Sequence, residues 1–246
     1  MEVELILFDW GGTLVGVDRQ AEALHRGALE VARILAAPDP GDCIDELIRG
    51  ILCAEQEAAA NPTHREADLR AVLTGLVSSW GGPVAGDRLA AAGDAMGRAW
   101  MGSLDLVSGV PETVRCLRDR GYRSGLVSNC CIPPEYCRRE LRRQGLSDLM
   151  KPAVFSSEVG YRKPSRIIYE EALRQAYPAG RPTDLSRVLF VGDSPVCDVI
   201  APAAMGMKTA LVNRPPGIWP DADYAHAQPD LRIDTVTQLP ALLDRQ

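Results

Sequence analysis

One short apolar run, Glu4-Leu5-Ile6-Leu7-Phe8-Asp9, is cut off from every other strand-like segment by a long stretch of helical periodicity. The run ends in a carboxylate and is broken at once by Gly11-Gly12. This is the pattern of a strand buried on both faces that delivers Asp9 to its C-terminal edge. From residue 18 to 102 apolar side chains recur every three to four positions. Leu24, Ala28, Val31 and Leu35 form one stripe; Leu47, Ile48, Ile51 and Leu52 form a second. Leu69, Val72, Leu73, Leu76, Val77 and Trp80 form a third, and Leu89, Ala92, Met96 and Trp100 a fourth. Breaks at Pro38-Asp39-Pro40-Gly41, Asn61-Pro62 and Gly81-Gly82-Pro83 separate the four. The segment reads as a helical bundle without a strand.

Past Ser108-Gly109 the period alternates. A helix is expected over 110–120, a strand over 122–129, a helix after Pro133-Pro134, and a strand over 153–156. A helix follows over 166–176, then a strand over 188–191 running into Gly192-Asp193. A helix near 196–205, a strand over 209–212 and a final helix to Leu243 complete the series. Alternating units of this kind build an α/β fold, a doubly wound, Rossmann-like parallel sheet with helices on both faces. The expected organisation is a sheet core from residues 1–16 and 105–246, with a helical cap of residues 17–104 set into it. An insert leaving the chain just after the first strand rises from the C-terminal edge of the sheet, where open α/β folds bind ligands. A cap there would close a site between two domains.

Composition narrows the function classes. The 246 residues carry a net charge of −6, so no basic surplus exists for a phosphate-backbone footprint, and no nucleic-acid partner is expected. No apolar run approaches the roughly 20 residues of a membrane helix, so no membrane role is expected. Seven scattered cysteines without a C-x-x-C pair argue against a zinc ribbon or a thioredoxin-type site. With no signal-peptide profile at the N-terminus, they read as free thiols of a cytoplasmic protein. Lysine occurs only at Lys151, Lys163 and Lys208; every other side-chain cation except histidine is arginine.

Four sites at expected sheet edges carry polar chemistry: Phe8-Asp9-Trp10-Gly11-Gly12-Thr13-Leu14, Leu126-Val127-Ser128-Asn129, Glu158-Val159-Gly160-Tyr161-Arg162-Lys163-Pro164, and Val191-Gly192-Asp193-Ser194-Pro195-Val196-Cys197-Asp198. A carboxylate at a strand end before a glycine-rich turn can act as a nucleophile beside exposed backbone N–H groups. Asp9, Asp193 and Asp198 together would repel one another without a cation, and an all-oxygen ligand set suits Mg²⁺.

In order, spacing and strand context these sites resemble the four motifs of the haloacid dehalogenase-like hydrolase superfamily, including a helical cap after the first motif. Residues 229–234 and 239–243 look like that family's closing strand and helix. The resemblance implies that Asp9 attacks a phosphorus centre, and that Ser128 and Lys163 hold and neutralise the phosphoryl group, with Gly12, Thr13 and Asn129 beside it. It implies Mg²⁺ bound by Asp9, the Gly11 carbonyl and Asp193, with Asp198 supporting or joining that shell. The substrate it implies is a small phosphorylated metabolite.

One position departs from the pattern. Hydrolytic members usually carry a second aspartate two residues after the nucleophile, as general acid and base; here Gly11 stands there. Loss of such a group typically costs ~10²–10⁴-fold. Asp18 reads either as a substitute acid or as the N-cap of the first cap helix, and a good leaving group would lessen the need for an acid. Phosphonoacetaldehyde hydrolase chemistry resembles the Asp-Trp-small-Gly-Thr motif but needs a cap lysine, and residues 1–150 contain none. Dehalogenation of a 2-haloacid needs no metal, whereas Gly-Asp-Ser-x-x-x-Asp is kept here. A weakly active or inactive relative with a binding or regulatory role is the remaining alternative. Cys130, Cys131, Cys197, His25 and His64 read as possible site neighbours or bystanders, Trp10 as a cavity wall or packing residue, and Arg162 as solvated or reaching an anionic substrate.

Overall fold

The computed structural model describes residues 2–37, 40–80, 85–180, 184–215 and 220–243. Six parallel strands make one sheet: β1 (Leu5–Phe8), β2 (Arg123–Ser128), β3 (Ala153–Phe155), β4 (Val188–Gly192), β5 (Lys208–Val212) and β6 (Leu231–Ile233), in the order β3-β2-β1-β4-β5-β6. β1 pairs with β2 on one side and β4 on the other, so Phe8 lies level with both Leu126 and Val191. The chain winds outward from β1 first to one side and then to the other. The ends of β1 and β4 therefore flank a switch point, the crevice where such sheets take ligands.

The alternation along β1 explains the layers. Ile6 and Phe8 face one core with Leu126, Leu189 and Val191. That face is covered by α5 (Val110–Asp119), α6 (Pro134–Arg143) and α11 (Leu239–Leu243). Leu5 and Leu7 face the opposite core with Val127, Val188 and Phe190, under Ile168, Tyr169 and Leu173 of α8 (Arg166–Ala176). All four β1 side chains are inaccessible to solvent. Each such burial contributes roughly 1.5–3 kcal/mol.

Between β1 and α5 the described residues form four helices: α1 (Gln20–Leu35), α2 (Pro40–Ala60), α3 (Leu69–Ser79) and α4 (Gly86–Met101). Leu24, Ala28, Val31 and Leu35 of α1 are buried, as the spacing requires. The Asn61-Pro62 break falls just past α2; the Pro38-Asp39 and Gly81-Gly82-Pro83 breaks lie outside the described residues. The two connections that carry the insert run side by side. Gly16 N–H donates to Asp105 O at 2.9 Å, Val107 N–H donates to Leu14 O at 3.0 Å, and Val15 and Leu106 form an antiparallel bridge. On α4, Asp94 accepts a hydrogen bond from the Tyr136 hydroxyl of α6, which ties the insert to the sheet layer.

The expected helix near 196–205 differs in detail. A π-helical turn, Pro195–Ile200, comes first, and only Ala201–Ala204 is α-helical (α9). Pro202 has no N–H to give the Asp198 carbonyl, so a regular turn cannot form there. Two short helices, α7 (Ser156–Val159) and α10 (Asp221–His226), were not expected from the sequence. At four and six residues they are too short to show a helical period.

Candidate active site

Asp9 follows β1 directly and is anchored by its own N–H, which donates to Val191 O at 2.8 Å. Its carboxylate is 10% exposed and accepts from two groups. Lys163 Nζ donates to Oδ1 at 2.6 Å, and the Thr13 hydroxyl donates to Oδ2 at 3.4 Å. The same ammonium donates to Asp198 Oδ1 at 2.7 Å. Asp198 is fully buried, and its other oxygen takes the Ser194 N–H at 2.9 Å. One lysine therefore sits between two carboxylates from opposite ends of the chain. Burial alone would lower its pKa, but Asp198 and Asp9 outweigh burial and hold it raised, so the group stays cationic.

Asp193 ends the β4 run, and its carboxylate lies 3.5 Å from Arg214 Nε. Ligand oxygens of Asp9, Asp193 and Asp198 fall within 4.8 Å of one another. Burial, then repulsion from Asp9 and Asp198, pushes Asp193 up to about 7. Burial raises Asp198 to about 6 against the pull of Lys163. Both shifts come from bringing carboxylates together out of water, and a divalent cation is the group that would relieve them. Two glycines make the crowding possible. Gly12 has φ of +80°, and a Cβ on it would come within 2.6 Å of Asp193 Oδ2. A Cβ on Gly192 would come within 2.2 Å of Asp198. The oxygen donors and these close approaches fit a hard cation such as Mg²⁺.

Ser128 ends β2 and is 4% exposed. The Asn129 side chain bonds the backbone of Lys163 in both directions. Asn129 Nδ2 donates to Lys163 O at 3.0 Å, and Lys163 N–H donates to Asn129 Oδ1 at 2.7 Å. Asn129 is thus a positioning residue for the lysine loop. A cavity of about 330 Å³ brings together Asp9, Gly11, Gly12, Ser128, Asn129, Lys163, Asp193 and Asp198. Thr13 lies behind them, against Asp9.

Several expectations are corrected. Arg162 is not solvated: it lines the cavity, and its guanidinium is engaged by two carboxylates. It is 11% exposed and donates to Glu55 Oε2 and Glu66 Oε1, each at 3.2 Å. The α2–α3 connection docks on its loop: Arg162 N–H donates to His64 O, Glu66 N–H donates to Gly160 O, and Arg65 stacks on Tyr161. Asp18 is exposed, stands outside the cavity, and does not cap α1, whose N-cap is Arg19. Trp10 is a packing residue. It lies against Phe155, is 2% exposed, and its indole nitrogen donates to Gln144 Oε1. Of the thiols only Cys197 lines this cavity; Cys130 and Cys131 line the next one, and His25 is exposed. Val17, Gln20 and Arg214 line the site and were missed. A cation just past a parallel strand, as in Val212-Asn213-Arg214, is the signal that would have found Arg214.

A parallel sheet that gathers an aspartate, a lysine and two further carboxylates at the C-terminal ends of its strands defines a Rossmann-like hydrolase core. A family model described as haloacid dehalogenase-like hydrolase matches residues 3–206, and the chain belongs to that family. It is 38% identical over 101 residues to pyrimidine 5'-nucleotidase YjjG of Escherichia coli, covering 39% of this chain and 42% of that one. It is 29% identical over 167 residues to ribulose-1,5-bisphosphate 5-phosphatase of Halopiger xanaduensis, covering 66% of each. The matches thus span less than two thirds of the length of these relatives. The 2-haloacid dehalogenase structure from Pseudomonas syringae superposes with a TM-score of 0.69 at 23% identity, over 99% of both chains, a likeness of fold. Among the described residues no helix is long and apolar enough to cross a membrane.

Proposed function

We propose that this hydrolase is a Mg²⁺-dependent phosphatase of a small phosphorylated metabolite. The observation that carries the reading is the Lys163 ammonium held between Asp9 and Asp198, with Asp193 within ligand distance of both. A metal-free substitution at carbon has no use for three converging carboxylates, whereas a phosphoryl dianion beside a carboxylate nucleophile needs the positive charge that Mg²⁺ and Lys163 would supply.

In this reading Asp9 attacks phosphorus; the new bond joins its carboxylate oxygen to phosphorus, and the bond to the leaving oxygen breaks with its electron pair. Water then attacks phosphorus and returns the Asp9 carboxylate and inorganic phosphate. Lys163 balances the charge of nucleophile and phosphoryl group, the Ser128 hydroxyl orients the latter, and Asn129 keeps Lys163 in place. Asp9, Asp193 and the Gly11 carbonyl would hold Mg²⁺, with Asp198 anchoring Lys163 beside them; bound there, the cation would screen phosphoryl oxygens from the carboxylates. Gly11 supplies no acid, so the leaving group departs on its own basicity or with a proton from water. Helices α1–α4 act as the cap that excludes solvent and selects substrate. The seven cysteines, all free thiols, suit a reducing cytoplasm.

The test is release of inorganic phosphate from aryl, acyl and sugar phosphates with and without Mg²⁺. Mg²⁺-dependent turnover that Asp9→Asn abolishes supports the reading. Metal-independent chloride release from 2-chloropropionate sinks it.

A further inference from the structure

A second cavity, of about 280 Å³, adjoins the first: Gln20 and Asn129 line both. It lies between the helical insert and the loop after β2. We propose that this chamber holds the leaving group of the substrate and admits only groups that carry no second anion. The substrate class is then a phosphomonoester with one phosphate and an uncharged, partly apolar tail. This deepens the phosphatase reading and rests on it for the chemistry, though not for the binding preference.

The walls carry the argument. Leu52, Trp100, Cys131 and Ile132 give them an apolar part beside the polar Gln20, Glu55 and Asn129. Leu52 is 45% exposed and offers an apolar surface that a bound tail would cover. Among the described residues that line the chamber, Glu55 is the one charged side chain. The neighbouring cation, Arg162, is already held by Glu55 and Glu66, and the Glu66 side chain is 2% exposed, so that pair cannot swing aside into water. Lys163 and Arg214 line the first cavity and face Asp9, Asp198 and Asp193. A second phosphate in the chamber would shed part of its hydration against these walls and meet a carboxylate, with no cation among the lining residues to receive it. Desolvating an anion without a partner carries a steep cost.

The experiment compares a sugar monophosphate with the corresponding bisphosphate, in turnover by the native protein with Mg²⁺ and in calorimetric binding to Asp9→Asn. The expected result is a kcat/KM for the bisphosphate about tenfold or more below that of the monophosphate, with the same order in binding. Glu55→Gln, which removes the negative wall and leaves Arg162 with one carboxylate, is expected to narrow the ratio about threefold or more, through KM of the bisphosphate. Equal or better use of the bisphosphate overturns the proposal, and so does an unchanged ratio in a folded Glu55→Gln protein. Absence of turnover on both compounds, with the monophosphate still bound more tightly, defeats the phosphatase reading and leaves the chamber's preference standing. Absence of turnover with equal binding defeats both.

Discussion

The two cavities meet at Gln20 and Asn129 yet are built on opposite principles. At the sheet edge the charged groups around Lys163 are committed to one another. Asp9, Asp198, Lys163 and Ser194 satisfy one another at 2.6–2.9 Å, and glycines 12 and 192 leave no space for even a methyl group. In the chamber under the insert the walls mix apolar side chains with Gln20, Glu55 and Asn129, Leu52 is half open to solvent, and the neighbouring Arg162 is paired with Glu55 and Glu66. Chemistry that must be repeated on any substrate is held by rigid, charge-matched strand ends. Selection, which differs between substrates, is left to a helical wall that can change without disturbing them.

The comparison breaks most sharply at Asp9. Asp9→Asn keeps the shape and removes the proposed nucleophile, so phosphate release is expected to fall by ~10⁴-fold or more with an unchanged circular-dichroism spectrum. Lys163→Met comes next. It leaves Asp9 and Asp198 facing each other in a dry site, and is expected to cost ~10²–10³-fold in kcat and about 3 kcal/mol in chemical denaturation. A chamber substitution of equal size, such as Leu52→Ala, should change the order of preferred substrates with little effect on stability.

Positions 11 and 12 sharpen the contrast within two residues. A Cβ on Gly11 meets only Val17 at 3.5 Å, so Gly11→Asp fits. It is expected to raise turnover of alkyl phosphates about 10–100-fold and of aryl phosphates far less, because only the poor leaving group needs an acid. A fall for both would mean that the native substrate fills that space. Gly12→Ala meets Asp193 at 2.6 Å in a left-handed backbone, and is expected to cost about 1–3 kcal/mol and to weaken Mg²⁺ binding in titration.

The smallest effect is one of pH. Asp193 and Asp198 are raised to about 7 and about 6 in the folded metal-free chain, above their unfolded values. The folded state therefore binds those protons more tightly. The stability they confer is full below about pH 4 and is lost as pH rises through 6 to 7. The Tm of the metal-free protein should fall from pH 5.5 to pH 8, and Mg²⁺ should raise Tm more at pH 8 than at pH 5.5. A metal-induced shift independent of pH would show that these carboxylates are not its ligands.

Much of this was legible in the sequence. Five of the six strands and the helical insert were readable because apolar periods of two, of 3.6, and of continuous runs differ over segments of this length, whereas β6 was implied by the family resemblance alone. The residues of the acidic site were readable because each stands where a strand ends: Asp9, Ser128 and Asp193 all follow buried runs. The carboxylate partners of Arg162, the hydrogen bonds from Asn129 to the Lys163 backbone, the exposed place of Asp18 and the presence of Arg214 were not readable, for one reason. Their partners are remote in the chain, and no local pattern records them.

The sequence alone determined the order of elements, the family motifs and the set of groups at the sheet edge, because hydrophobic period and strand termini are local properties. Only the tertiary structure decided which charges cancel. Glu55 and Arg162 are 107 residues apart in sequence, and Lys163 and Asp9 are 154 apart. The same two residue types, a lysine and an arginine side by side, end in opposite states. Packing turned Lys163 toward Asp9 and Asp198 and Arg162 toward two carboxylates of the insert, and the charge left in each cavity follows from that.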